Sequence, residues 1–290
     1  MNQFKRATLE IIETRLGRPP AEVIHLTDQH TKAVQSWLPT RYPQAAHFDG
    51  LGVTAGSSGL EVSLLNLALG SDYPPGTDEA TITAEIQAVK QFFAERDVPW
   101  YWWIGPNPRP SDVGKLLKQH GMGFDPPTLP AMAAPLPAIE TPELNPAAEV
   151  WLADCIEDLQ AASTIRRIAF NFPPGIALDY FESMAEDWLR GDPARLYMAR
   201  LDGGPTAAIG ALIIGYGLPG VYIMATLPEW GRRGLGKAIL NRILSDAADQ
   251  GHDMIALTAG TKGYPLYRQF GFEHVFDYTI YRPVEEDTFE

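Results

Sequence analysis

At 290 residues the chain is about twice the size of a usual domain, and its 45% hydrophobic and 20% charged content excludes a mainly disordered protein. Its 36 acidic and 23 basic side chains leave a net charge of -13, which argues against a broad phosphate-binding surface and so against a nucleic-acid partner. Cys155 is the one cysteine, which excludes an internal disulfide and a cysteine-rich zinc site, and no metal is expected. No apolar run approaches the ~18 residues of a membrane span. The first residues carry acids inside their apolar stretch and no small-residue cleavage site, so they do not read as a signal peptide. The expectation is a cytoplasmic protein, monomer or homodimer, with no membrane partner.

Two domains are expected, 1–135 and 136–290. In the first, residues 59–70 read as a strand and 78–96 as a helix with Ile82, Ile86, Val89 and Phe93 on one face. A second strand follows at 99–104. Its Trp100-Tyr101-Trp102-Trp103 could be a ligand platform, but on alternating strand faces it fits a core and a contact surface better. Prolines from Pro126 to Pro146 remove backbone donors and predict an extended connector with a short strand at its centre.

The second domain alternates more clearly. Residues 154–169 and 178–190 fit amphipathic helices. Residues 195–201 and 207–215 fit strands joined by a turn at Asp202-Gly203-Gly204. A third strand is predicted over 220–226, with Val221, Ile223 and Ala225 on one face. A glycine loop leads from it into a helix ending near Gln250, and strand 253–258, short helix 264–270 and strand 275–282 complete the order. That is a mixed α/β (α+β) domain.

The loop runs Gly231-Arg232-Arg233-Gly234-Leu235-Gly236-Lys237. Its glycines let the backbone approach a ligand, and the helix start supplies unpaired N–H groups and the positive end of the dipole. Arg232, Arg233 and Lys237 add cationic charge. It departs from the dinucleotide pattern Gly-x-Gly-x-x-Gly, and Ala238 stands where a mononucleotide loop needs a hydroxyl.

Together with Tyr267-Arg-Gln-Phe-Gly271-Phe272 downstream, this loop resembles the GNAT family of N-acetyltransferases. Gly231 stands where the family has Gln or Arg, and Gly260 where it often has Asn. The resemblance implies that the loop amides hold the pyrophosphate of acetyl-CoA and that the preceding strand splays from its neighbour. Pantetheine would then lie along Met224, Ala225 and Thr226, with the backbone N–H of Met224 polarising the thioester. It implies Tyr267 as general acid, with Tyr264 one turn earlier lining the same site. It also makes Asn171-Phe-Pro-Pro-Gly175 a segment that shapes the acceptor pocket. No carboxylate or imidazole on the strand offers itself as base, and Glu229, His252 and His274 read as solvated or structural.

Residues 49–124 echo this order, and Leu116–Phe124 echoes the tyrosine segment with Leu117 in place of Tyr267. The corresponding loop, Ser71 to Asp78, has one glycine, two prolines and two acids, a poor cradle for phosphate. The expectation is two tandem GNAT domains, each a mixed, mostly antiparallel sheet flanked by helices, the first binding no coenzyme. The second would acetylate a small-molecule amine acceptor or a peptide amine. The alternative is an acyl-CoA-binding sensor or scaffold without turnover.

Overall fold

A computed structural model of the chain describes residues 4–138, 141–173, 175 and 179–284. Its helices and strands run α1 (Leu9–Leu16), α2 (Pro20–Trp37), β1 (Ala46–Asp49), β2 (Val53–Ser57), β3 (Asn66–Gly70), α3 (Glu79–Ala94), β4 (Tyr101–Ile104), α4 (Val113–Gln119), β5 (Met122–Phe124) and β6 (Leu129–Pro135). They continue β7 (Ala148–Leu152), α5 (Ile156–Ala169), α6 (Ala185–Arg190), β8 (Ala194–Leu201), β9 (Ala208–Gly215), β10 (Leu218–Thr226), α7 (Leu235–Asp249), β11 (Met254–Thr258), α8 (Tyr264–Gln269) and β12 (Glu273–Pro283). Among the described residues no helix is long and apolar enough to cross a membrane.

Two units form. The first is built mainly from Gln35–Leu129 with residues 276–284, the second from Lys5–Val34 with Pro130–Val275. In the first, β1, β2 and β3 pair antiparallel, β3 pairs β4 in parallel, and β12 lies antiparallel to β4 and β5. In the second, β7, β8, β9 and β10 pair antiparallel, β10 pairs β11 in parallel, and β6 lies antiparallel to β11. The same plan is used twice, with a helix (α3 or α7) crossing between the parallel strands. In each case a strand from the other half of the sequence completes the sheet.

The apolar spacing accounts for both crossover helices. Ile82, Ile86, Val89 and Phe93 of α3 are buried, as are Leu235, Ile239, Ile243 and Ala247 of α7. Trp100, Trp102 and Trp103 are all buried. Phe93 stacks on Trp100 with centroids 4.4 Å apart, and Trp102 Nε1 donates to Ser71 Oγ at 3.0 Å. These tryptophans are core rather than an open stacking face.

Several expectations are corrected. Residues 59–70 form a turn, a 3-10 segment at Ser63–Leu65 and only then β3. Asn66 causes this, since its amide donates to the carbonyls of Leu60, Val62 and Pro99 and its oxygen accepts from Ser57 and Ser58. The helix expected over 178–190 is a 3-10 turn at Glu182–Met184 followed by the short α6, and Leu178 lies outside the described residues. Strand β10 does not carry Val221, Ile223 and Ala225 on one simple face. Its register against β9 shifts between Tyr222 and Ala225, and Ile223 has φ 54°. Strand β7, before α5, gives little apolar signal in the sequence, because four of its residues are only half-buried and Glu149 is exposed.

Helices α1 and α2 were also not anticipated. The face α2 buries is diluted with polar groups, Thr27, Asp28, His30, Thr31 and Gln35, so no clean apolar period shows. His30 is satisfied on both ring nitrogens. Its Nδ1–H donates to Gly215 O at 3.0 Å, and its Nε2 accepts from the Tyr222 hydroxyl at 3.0 Å. A Cβ on Gly220 would lie 2.1 Å from Nε2, so only glycine fits beneath the ring.

Burial holds His30 neutral, lowering its pKa to about 4 from the usual 6.5. The folded pKa lies below the unfolded one, so the stabilisation is complete above about pH 6.5 and is lost as pH falls toward about 4. A drop of that size corresponds to ~3 kcal/mol. Urea unfolding at pH 7 and at pH 4.5 should show wild type losing more stability than His30→Gln. Equal losses in the two proteins would remove His30 as the cause.

Candidate active site

The site grows from the end of β10. Beside β11 the parallel register is Gly220↔Ala256 alone, although β10 runs on to Thr226. On its other edge β10 stays paired to β9 on both sides of the shift, through Tyr222↔Ala211 and Ala225↔Ile209. The surplus residue makes a β-bulge, and a β-branched residue at positive φ is backbone strain concentrated at one point. From Val221 to Thr226 the β11-facing edge therefore has no strand partner among the described residues. Met224 and Thr226 are half-buried there, and Ala225 is buried. The first unit has no such wedge, since β3 and β4 stay paired from Leu67↔Tyr101 to Leu69↔Trp103.

After β10 a 3-10 turn, Pro228–Trp230, delivers the chain to Gly231. Arg232 (φ 64°) and Gly234 (φ 91°) turn it into α7. Gly234 is the N-cap, so no side chain answers the first helical N–H groups, and the first turn carries no acid. The first intrahelical bond runs from Ala238 N–H to Gly234 O. The N–H groups of Leu235, Gly236 and Lys237 thus have no intrahelical partner, at a terminus worth about half a positive charge. Arg232 and Arg233 are exposed and Lys237 is half-buried. The guanidinium of Arg233 lies 4.9 Å from the Trp230 ring centroid.

The loop is braced from outside. Asn145 Nδ2 donates to Arg233 O at 2.9 Å, and its Oδ1 accepts from Ala147 N–H at 3.0 Å. Asn145 was not singled out from the sequence, where 88 positions separate it from its partner. The start of α3 is the opposite case. Asp78 is its N-cap and accepts from Thr81 N–H at 2.7 Å, and Glu79 adds a second acid in the first turn. That hydrogen bond holds the Asp78 carboxyl below its ordinary range.

Helix α8 lies against the start of α7, since a Cβ on Gly236 would meet Leu266 at 3.5 Å. Tyr267 is 6% exposed, packs edge-on to Phe272 and passes so close to Gly263 that a Cβ there would meet its ring at 2.9 Å. Burial pushes its phenol up, so it stays protonated at neutral pH. Tyr264 is also buried, but its hydroxyl donates to Lys5 O at 3.5 Å and its ring meets His274 edge-on. Glu229 is exposed, His252 half-buried and His274 buried. Glu273 is engaged by Arg15 and Arg268. In the first unit, buried Leu117 occupies α4.

A strand parted from its parallel neighbour and followed by an uncapped helix with cationic side chains at its start is an arrangement suited to an extended anionic ligand. Residues 145–265 match the family model described as an acetyltransferase (GNAT) domain. That stretch, 121 of the 290 residues, is thus similar to a family whose reaction is acetyl transfer. Mycothiol acetyltransferase from Clavibacter sepedonicus is 35% identical over 97 residues, 32% of this chain and 31% of that protein. The matched stretch is thus less than a third of that relative's length. A GCN5-related N-acetyltransferase from Kribbella flavida superposes with a TM-score of 0.65 at 19% identity, covering 89% of this chain and 97% of that one. A tandem GNAT protein from the clavulanic acid biosynthesis pathway gives a TM-score of 0.57 at 13% identity, covering 92% and 96%. These likenesses establish a tandem GNAT fold.

Two glycines of the loop should respond differently to alanine. Gly234→Ala puts a Cβ in a left-handed conformation 3.0 Å from Asn145 Cβ and should cost ~1–2 kcal/mol or more. Gly236→Ala meets only ordinary contact inside the helix and should be neutral or stabilising by up to ~1 kcal/mol. Denaturant midpoints of the two variants test this, and equal losses would contradict the geometry.

Proposed function

We propose that the second unit transfers the acetyl group of acetyl-CoA to a primary amine of a small molecule or peptide, and that the first unit binds no coenzyme. The observation that carries this reading is the coincidence, at one strand end, of an open wedge and a helix start left bare. The N–H groups of the loop and Arg232, Arg233 and Lys237 would take the pyrophosphate. Exposed backbone at Met224, Ala225 and Thr226 would take pantetheine, and Tyr264 would line the wall behind it.

Attack by the neutral amine on the thioester carbon forms the C–N bond and puts charge on the carbonyl oxygen. The Met224 N–H is suited to receive that charge. Collapse breaks the C–S bond, and Tyr267 gives its proton to the departing sulfur. The proton released by the acceptor nitrogen then restores the phenol. A free amine of pKa ~10.4 is about 99.9% protonated at pH 7, so it must lose a proton to solvent before attack. No carboxylate or imidazole on β10 serves as base. That absence favours one second reading, a protein that binds acyl-CoA without turnover.

Calorimetric titration with acetyl-CoA should give one site per chain, and two sites would contradict a silent first unit. Gly236→Asp, which puts an acid where α7 now has none, should weaken binding ~10-fold or more. Tyr267→Phe should keep the affinity and lose turnover by about 10²–10⁴-fold. Unchanged turnover would remove Tyr267 as the acid, and wild-type binding with no turnover on any amine would favour the sensor.

A further inference from the structure

Arg166, in the last turn of α5, is 4% exposed. Its guanidinium carbon lies 3.8 Å from the Tyr180 ring centroid, 5.3 Å from that of Phe172 and 6.0 Å from that of Phe181. Its Nε and Nη1 have no hydrogen-bond acceptor, and no carboxylate pairs with it among the described residues. Glu182 accepts from Ser163, whose oxygen in turn accepts from Phe181 N–H, so that carboxylate is committed one turn away. The rings offset part of the cost by cation–π attraction. Stripping a guanidinium of water is costly; the Tyr180 hydroxyl is the neutral polar group that interacts with it, and its Nε and Nη1 stay unanswered. Arginine cannot escape by losing its proton, so what is missing is an anion.

Helix α5 packs on β10, the strand that carries the wedge. Phe172, whose ring faces the guanidinium, is half-buried between exposed Asn171 and Pro173.

We propose that Arg166 is the carboxylate-binding residue of the acceptor site, so that the amine acetylated here also carries a carboxylate, as an amino acid does. The planar guanidinium matches the two oxygens of a carboxylate. This rests on the reading of the second unit as an N-acetyltransferase and gives its acceptor a class.

The test uses the full chain and separates the two readings. N-acetylated amino acids and the corresponding N-acetyl amino-acid amides are titrated calorimetrically, with acetyl-CoA titrated separately. The acids should bind at least 10-fold more tightly than the amides. Arg166→Gln should abolish that preference while leaving acetyl-CoA affinity unchanged, and Arg166→Lys should retain part of it. Equal binding of acid and amide to wild type, or no binding of either, overturns the proposal without needing a variant that folds. Acid-selective binding with no acetyl-CoA binding would keep the carboxylate site and remove the acetyltransferase reading. With a panel of free amino acids and their amides as acceptors, the acids should show the lower KM, and a KM unmoved by Arg166→Gln also overturns it.

Discussion

The start of a helix presents several N–H groups that its own turns cannot satisfy, and something must answer them. In this chain the two crossover helices treat that demand in opposite ways. At α3 the answer is local and permanent, since Asp78 folds its carboxylate over the first turn. At α7 the N-cap is Gly234, with no side chain to offer, and Arg232, Arg233 and Lys237 stand beside it in the chain. The parting of β10 from β11, the bulge at Ile223 and the brace from Asn145 all keep that terminus reachable. The parallel pair β3 and β4 stays closed, and its tryptophans are spent on packing.

Much of this was legible in the sequence, for physical reasons. Helix α7 and its loop show because their determinants are local, apolar residues four apart behind three glycines. Tyr267 could be picked out because it stands near a Gly-Phe pair at the end of a short helix. The bulge could not, because Ile223 is β-branched and nothing in its type announces a positive φ. The support from Asn145 was equally hidden, since it depends on where a proline-rich stretch travels rather than on its composition. The helices at the chain start were missed because α2 buries polar groups, which dilute the periodicity that reveals a helix.

Those buried polar groups divide by how they are satisfied. His30 has a donor bond, an acceptor bond and a neutral ring, so burial costs it little beyond the pH range it gives up. It pins the turn between β9 and β10 at Gly215 and reaches Tyr222, the last residue before the register shift. Arg166 has rings around it and, among the described residues, no paired carboxylate. Two polar side chains on helices packed in the same unit thus behave differently, one completing the scaffold and one leaving a debt.

The duplicated plan has a consequence for inheritance. Each sheet is finished by a strand from the opposite half of the chain, β6 in the second unit and β12 in the first. A gene that shed the first half would also shed β6, the strand beside β11, and one that shed the second half would deprive β4 of β12, one of its two neighbours. The two copies can drift apart in chemistry, as Asp78 and Gly234 have, but neither can be discarded. The architecture of each unit thus runs through the other half of the chain.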